Sequence, residues 1–322
     1  MISVLSLGAL AGCSSTNGNA NDGSTPSPAA HDSTDAESAS VPVDRNYDGA
    51  IPEVEGEYAK SATILPSDGA EPTDTVVAHT ITAGDGPEVT AHDFVSAHYV
   101  GSLWDGEVFD SSFARSPGEN PTPAVFSLQQ VIQGWTYGLE GQHVGDRVEL
   151  IIPSTWGYGD QAQGDKIPAN STLVFVVDIV DAVNPADYSA LEEAEKTTND
   201  LPAGMAVKGD LAHKPTVTFD KDATPPADDV AIVLARGTGD PVKETDVVIF
   251  HATVGEWGKE AGIESSWDQG EAQSSGQPAG DSPGITGMPV GSRTFITLKQ
   301  ENPGEHPLFA IIDIVAVVPN AQ

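Results

Sequence analysis

The chain has 322 residues, of which 48 are Asp or Glu and 14 are Lys or Arg, so its formal net charge is −34. This excess of negative charge argues against nucleic acid and anionic lipid surfaces as electrostatic partners. The single cysteine excludes an intramolecular disulfide and a cysteine-based metal cluster. The length accommodates two domains of ordinary size.

The chain begins with a short apolar run, residues 2–11, followed by Gly12 and Cys13. The run is too short to cross a bilayer, which takes roughly 20 apolar residues in a helix. Its length is typical of the apolar part of a secretory signal. No Lys or Arg precedes the run, so the positive start of such a signal is missing.

The L-A-G-C sequence at residues 10–13 resembles the bacterial lipobox. The resemblance implies that residues 1–13 are a lipoprotein signal and that Cys13 is the lipidation site. The expected location is extracytoplasmic, lipid-anchored to the cell membrane. The alternative is an ordinary N-terminal stretch with a buried thiol. Residues 14–39 argue against it, because they are almost wholly small and polar and offer no core for a thiol.

Two segments of low hydrophobicity separate the parts that are expected to fold. Residues 14–55 carry eight acids, one base and many small polar residues, which predicts a flexible, disordered tether. Residues 185–208 are predicted to be a linker, within which residues 187–196 are typical of a short helix. The remaining parts, 56–184 and 209–319, have short Val, Ile, Thr and Phe runs between Gly, Pro or Asp, as in β-rich domains.

The two β-rich parts repeat one another. A shift of 153 residues aligns His98 with His251 without a gap. Farther along the chain the shift is smaller, and the G-x-x-V-G-x-R motif at 141–147 recurs at 287–293. The repeating unit is a whole domain, much longer than the roughly 20–50 residues of a solenoid repeat. The sequence therefore predicts two domains of one ancestral fold.

Several separated motifs follow one another in the first copy. They are H-Y-V-G at 98–101, F-D-S-S at 109–112, F-S-L at 126–128, V-I-Q-G-W at 131–135, G-Y-G at 157–159 and I-P at 167–168. In order and spacing they closely resemble the FKBP family of peptidyl-prolyl cis-trans isomerases, over about Thr82 to Ala182. The resemblance implies an α+β fold, with an antiparallel β-sheet curled around a short α-helix. This FKBP-like fold is expected twice, with the second copy degenerate.

Members of the family enclose a pocket that accepts a proline ring. By this resemblance, the catalytic residues are Tyr158, Asp110, Trp135 and Ile132. The other substrate-binding residues are Tyr99, Phe109, Phe126, Val131, Ile167 and Phe175. The resemblance implies that the Ile132 N–H and the Tyr158 hydroxyl hold substrate carbonyls, while Trp135 forms the pocket floor. It further implies that Asp110 is a polar wall paired with Arg115. Ala124 stands where the family often has a second aromatic residue, which implies a more open rim.

This mixture of residues fits the chemistry of rotation about an Xaa-Pro bond. Amide resonance sets a barrier of ~18–20 kcal/mol, although the cis and trans forms differ by only about 0.5–1 kcal/mol. A dry aromatic site favours the twisted amide, which has lost resonance, over the planar one. Such a reaction needs no cofactor, metal or nucleophile, and none is expected here. His98 and His251 are expected to be strand histidines rather than catalysts.

The second copy keeps the frame but lacks the residues of the pocket. Ala252 stands at the position of Tyr99, and Ile263 and Glu264 replace the F-D pair. The V-I-Q-G-W segment has no counterpart, and 20 positions separate Arg293 from Asp313, against 31 between the corresponding residues of the first copy. We therefore expect the second domain to be inactive. A spacer or stabilising role and a partner-binding role both remain open.

The leading hypothesis is a lipid-anchored peptidyl-prolyl cis-trans isomerase that assists folding of exported proteins at the outer face of the cytoplasmic membrane. Its partners are expected to be proline-containing polypeptides, without nucleic acid, and the protein is expected to be a monomer. One alternative is a non-catalytic surface scaffold that binds proline-containing peptides. In a second, the aromatic residues are simply the core of a β-domain. A third is an acidic protein that collects cations, although no carboxylate cluster has the spacing of a ligand loop.

Overall fold

The computed structural model describes residues 41–67, 72–118, 120–270, 272–298 and 307–319. The predicted signal, with Cys13, and most of the predicted tether lie outside the described residues. Among the described residues, the chain divides into two compact units, the first ending at Asn184 and the second beginning at Pro185. No helix in these described ranges is long and apolar enough to cross a membrane.

The first unit consists mainly of strands with two short helices. Its strands are β1 (Val43–Asp44), β2 (Val54–Glu55), β3 (Thr63–Ile64), β4 (Val76–Thr82), β5 (Phe94–Leu103), β6 (Val108–Ser111), β7 (Ala124–Ser127), β8 (Arg147–Ile152) and β9 (Leu173–Val183). Its helices are α1 (Ser112–Arg115) and α2 (Gln133–Leu139), with a 3₁₀ turn at Ser154–Trp156.

The second unit has a similar composition of elements. Its helix is α3 (Ser189–Glu192), with a 3₁₀ turn at Ser266–Asp268. Its strands are β10 (Glu195–Lys196), β11 (Met205–Lys208), β12 (Thr216–Phe219), β13 (Ala231–Arg236), β14 (Val247–Glu256), β15 (Glu264–Ser265), β16 (Gln273–Pro278), β17 (Arg293–Leu298) and β18 (Leu308–Val318).

The two main sheets have matching strand orders. The first runs β1-β4-β8-β9-β5-β6 with β7 also on β5, and the second runs β10-β13-β17-β18-β14-β15 with β16 also on β14. The edge strands differ, since β1 is parallel to β4, whereas β10 is antiparallel to β13. The parallel β1–β4 pair departs from the antiparallel sheet that the sequence predicted. Each unit also has a separate hairpin, β2–β3 or β11–β12.

The first sheet has two covered faces because side chains alternate along its strands. In β8, Val148, Leu150 and Ile152 belong to a core on the side of α2, which we call the front face. Ile151 of the same strand belongs to a second core on the opposite side, the back face. Helix α2 lies very close to β8, since a Cβ at Gly134 would be 2.3 Å from the Ile152 side chain.

The prediction of a disordered tether over residues 14–55 is wrong for its last part. Residues 41–55 contribute β1 and β2 to the first unit. Three apolar side chains in this mostly polar stretch pack against the back-face core: Tyr47, Ile51 and Val54. Their burial stabilises an ordered segment that the average composition did not indicate.

The predicted linker over residues 185–208 is likewise part of a folded unit. The short helix expected within 187–196 is present as α3, which buries Leu191. Strands β10 and β11 then follow and pair with β13 and β12. The segment looked like a linker because its buried residues are few and separated by acidic ones.

Candidate active site

The front face of the first sheet gathers the predicted pocket residues into one hydrophobic cluster. Strands supply Tyr99 (β5), Phe109 (β6), Phe126 (β7) and Phe175 (β9); α2 and the segment before it supply Val131, Ile132 and Trp135; loops supply Tyr158 and Ile167. Most of these side chains are buried, while Phe109 and Tyr158 are only partly buried and lie at the edge of the cluster. The strand alternation and the helix therefore bring together residues that are up to 76 positions apart.

Trp135 is the centre of the aromatic arrangement. Its ring centroid lies 5.6 Å from Tyr99, 5.2 Å from Phe126 and 5.3 Å from Phe175, and the rings meet edge to face. Phe109 meets Phe175 in the same way at 5.5 Å. Such packing fixes the ring orientations, because edge-to-face pairs are favoured by the aromatic quadrupole. The result is a rigid apolar lining.

The glycine of the H-Y-V-G motif makes room for this lining. A Cβ at Gly101 would lie 2.8 Å from the rings of both Phe109 and Phe175. That distance is shorter than any ordinary carbon contact. Any larger residue at this position of β5 would therefore push the two rings apart.

One carboxylate stands at the edge of the aromatic cluster. Asp110 accepts hydrogen bonds from the Tyr99 hydroxyl at 2.5 Å and from the Ser111 backbone N–H at 2.8 Å. The Arg115 guanidinium lies 3.3 Å from Asp110, also donates to the Tyr99 hydroxyl, and lies over the Tyr99 ring. Arg115 is thus paired with Asp110, as the resemblance implied. Burial and the hydrogen bond to Asp110 raise the pKa of Tyr99, so its hydroxyl remains a donor.

Tyr158 lies just after the 3₁₀ turn at Ser154–Trp156, partly buried against the cluster. Burial, with a smaller contribution from the nearby Asp110 charge, raises the pKa of Tyr158 to about 12. Its hydroxyl is therefore protonated at neutral pH and able to donate. Ile132 immediately precedes α2 in an extended conformation, with its side chain buried.

Three contacts at the site were not predicted. The Lys166 ammonium group donates to the Phe109 carbonyl at 3.0 Å, which joins the loop before Ile167 to β6. Leu103 and Trp156 also pack against the cluster. No sequence signal identified Lys166, because its contact is with a backbone carbonyl 57 residues away. Ala124, the expected open rim position, is partly buried against the same cluster.

The back face of the sheet holds polar residues that the pocket does not use. His98 stacks on Phe113 at 4.8 Å, and burial lowers its pKa. Arg147 and Asp178 form a buried pair at 3.3 Å. Among the described residues, no group of three or more His, Cys, Asp or Glu side chains could hold a metal ion.

The corresponding positions of the second unit carry different residues. The strand registers place Ala252 opposite Ile312, and Val254 opposite both Glu264 and Ala310. In the first unit the same register places Tyr99 opposite Val177, and Gly101 opposite both Asp110 and Phe175. Where the first unit has α2, residues 283–287 form turns. Two alanines, Ala252 and Ala310, therefore stand where the first unit has Tyr99 and Phe175.

The first unit thus combines a mostly antiparallel sheet with a buried aromatic cluster and a carboxylate, Asp110, held at the edge of that cluster. A comparison with known protein families finds a match to this unit. Residues 86–180 match a family model described as FKBP-type peptidyl-prolyl cis-trans isomerase.

Two relatives illustrate the similarity. An FK506-binding protein of Streptomyces anulatus is 46% identical over 116 residues, which are 35% of this chain and 90% of the relative. A probable FKBP-type peptidyl-prolyl cis-trans isomerase of Haemophilus influenzae is 45% identical over 103 residues, 32% of this chain and 40% of the relative. The chain thus spans less than half of the Haemophilus protein. The chain belongs to the FKBP-type peptidyl-prolyl cis-trans isomerase family.

One solved structure is also similar to part of this chain. It is the crystal structure of a peptidyl-prolyl cis-trans isomerase from Pseudomonas syringae pv. tomato. The similar region is 35% of this chain and 79% of the Pseudomonas chain. The sequence identity is 34% and the TM-score is 0.30.

Proposed function

We propose that the first unit catalyses cis–trans isomerisation of Xaa-Pro peptide bonds in polypeptide clients. The observation that carries the proposal is the buried aromatic cluster around Trp135, most of which lies inside the segment 86–180 that matches the family. A proline ring is a compact apolar group, and the pocket offers it ring faces and edges held in place by one another.

The apolar lining supplies the main catalytic effect. A planar amide has charge-separated resonance that water stabilises, whereas the twisted amide has lost that resonance. Moving the Xaa-Pro bond onto Trp135 and Phe175 removes water from it. This destabilises the planar form relative to the twisted one and lowers the barrier.

Polar groups at the edge hold the twisted bond. We assign the Ile132 N–H and the protonated Tyr158 hydroxyl as donors to substrate carbonyls. Asp110 is a fixed polar wall, because Tyr99 and Arg115 hold its carboxylate in one orientation. Groups that are already oriented need no rearrangement when the amide twists.

The second unit is, in this proposal, a degenerate copy of the first and lacks isomerase activity. The matching strand orders support a common origin. Ala252 in place of Tyr99 and the turns at 283–287 in place of α2 support the loss of activity. The second unit then acts as a spacer or stabiliser.

We further propose that the protein is lipidated at Cys13 and acts as a monomer on exported proteins at the outer face of the cytoplasmic membrane. The L-A-G-C sequence before a small, polar segment supports the anchor. In a bacterial host that processes lipoproteins, the chain should migrate as a lipidated form, and Cys13→Ser should abolish the shift. Equal migration of both proteins would contradict the anchor.

The activity is tested by NMR exchange spectroscopy on an Xaa-Pro peptide, using the full chain with Cys13→Ser so that it stays unlipidated. The proposal predicts that catalytic amounts of protein increase the cis–trans exchange rate. An unchanged exchange rate would contradict it. Saturable peptide binding without acceleration would instead support the second candidate, a non-catalytic scaffold, which the small side chain of Ala124 and the degenerate second copy favour.

A further inference from the structure

Arg45, in the segment that precedes the family-matched domain, contacts the end of the helix that carries Trp135. Its Nη2 atom donates to the Tyr137 carbonyl at 3.2 Å and to the Glu140 carbonyl. The two carbonyls lie at the C-terminal end of α2. Arg45 is 92 and 95 positions away from them in sequence.

These bonds supply donors that the end of the helix needs. The last carbonyls of any helix lack intrahelical donors. Here the Glu140 N–H binds the Thr136 carbonyl at 3.1 Å, and the Gln142 N–H binds the Leu139 carbonyl at 3.0 Å. Arg45 binds the carbonyl of Tyr137, in the last turn, and that of Glu140, directly after the helix. The helix has no basic residue in its own last turn, so Arg45 also supplies the cation that the helix dipole favours there.

The main chain around Arg45 is held on the first sheet. Val43 and Asp44 pair in parallel with Val76 and Val77 at the start of β4. The Val43 side chain packs against the same cluster that lines the pocket. The Asp44 carboxylate accepts the Asn46 N–H at 2.9 Å and fixes the turn that follows. Arg45 therefore approaches α2 from a fixed backbone.

The C-terminal end of α2 lies close to the residues of the proposed site because the helix is short. It has only seven residues, with Ile132 directly before the first and Trp135 in the first turn. A shift of the C-terminal end moves both residues, since a helix of this length behaves as one rigid body. The second unit has turns at 283–287 instead of α2.

We infer that Arg45 is a positioning residue for the isomerase site, acting through α2 on Trp135 and the Ile132 N–H. This inference rests on the proposed function of the first unit. It makes residues 41–45 part of the catalytic unit, although they lie outside the family-matched segment 86–180.

The experiment compares Arg45→Ala with a matched control, Tyr58→Phe. Tyr58 belongs to the same preceding segment, but its hydroxyl donates to the Ile179 carbonyl at 2.7 Å and does not touch α2. Arg45→Ala should lower kcat/KM for an Xaa-Pro peptide about 2- to 5-fold, the range expected from losing an exposed cation at a helix end. Tyr58→Phe should leave kcat/KM within about twofold, since the hydrogen bond it removes is remote from the reacting bond.

A second readout separates positioning from general stability. The ¹H–¹⁵N signals of the Ile132 amide and the Trp135 indole should move in Arg45→Ala, stay in place in Tyr58→Phe, and return towards wild type in Arg45→Lys. Unmoved signals in Arg45→Ala, or equal movement in Tyr58→Phe, would overturn the inference. If Arg45→Ala does not fold, Arg45→Gln is measured instead, with the same expected movement. A wild-type chain without isomerase activity would contradict the proposed function, while the signal positions would still decide the role of Arg45.

Discussion

The front faces of the two sheets differ much more than the sheets themselves. Both sheets have the same order of main strands, yet Tyr99 and Phe175 in the first correspond by register to Ala252 and Ala310 in the second. The second unit has its aromatic cluster elsewhere, with Trp257, Phe219, Phe295 and Phe309 around one core that does not include the front-face residues. The two units thus share their strand pairing, while the first unit has aromatic side chains at positions where the second has alanines.

A buried arginine–aspartate pair is common to both frames. Arg147 pairs with Asp178, and Arg293 binds both oxygens of Asp313 at 2.5 and 3.0 Å. Each arginine also donates to a carbonyl of its separate hairpin region, that of Lys60 or His213. The pair therefore joins sheet and hairpin in both units. It belongs to the fold, whereas the pocket is built from α2, loops and the front of the strands.

The largest expected effect comes from removing the pocket floor. Trp135→Ala should lower kcat/KM about 10- to 100-fold, which corresponds to roughly 1.4–2.8 kcal/mol of lost apolar contact with the twisted amide. Trp257→Ala is the matched control, since it removes an equally buried tryptophan of the second unit. Its activity should match wild type. Equal losses in both variants would contradict the assignment of activity to the first unit.

The next prediction concerns Glu149, a buried acidic residue of the first unit that has an apolar counterpart in the second. Glu149 in β8 is buried, its Oε1 has no hydrogen-bond partner in the described part of the chain, and His79 Nδ1 lies 3.6 Å from its Oε2. Phe295 takes the corresponding place in β17, two residues after the paired arginine. Burial raises the pKa of Glu149 from 4.5 to about 8.

The raised pKa fixes the direction of the pH dependence. Between pH 4.5 and 8 the folded state binds more protons than the unfolded state, so the free energy of unfolding falls as the pH rises. Glu149→Gln should flatten this slope and stabilise the first unit at pH 8 by about 1–3 kcal/mol, because it removes an ionisable group from a buried site. Thermal unfolding across this pH range provides the measurement. An unchanged slope would show that the carboxylate is solvated.

The smallest expected effect comes from the polar edge. Tyr158→Phe should lower kcat/KM about two- to fivefold, as expected for one neutral hydrogen bond to a substrate carbonyl. Since the pKa of Tyr158 is about 12, the wild-type rate should not change with the ionisation of this hydroxyl between pH 6 and 9. A loss as large as that of Trp135→Ala would mean that the hydroxyl, rather than the apolar floor, dominates catalysis.

Much of the pocket could be predicted from the sequence because its residues lie in short motifs whose spacing is specific. The ends of the folded units could not. Tyr47 and Ile51 lie among polar residues, so local composition predicted a tether where three separated side chains cover the back face. Arg45 and Lys166 act on carbonyls far away in sequence. Every residue has a backbone carbonyl, so the type of the accepting residue does not indicate such a contact, and the structure is needed to find it.

The most direct test of the central claim uses the five tryptophan indoles of the chain. Trp104, Trp135 and Trp156 lie in the first unit, and Trp257 and Trp267 in the second. Titration with an Xaa-Pro peptide, followed by ¹H–¹⁵N NMR, should move the Trp135 indole signal most and leave both signals of the second unit unchanged. Movement of the Trp257 or Trp267 signal with Trp135 unchanged would contradict a working site on the front face of the first sheet.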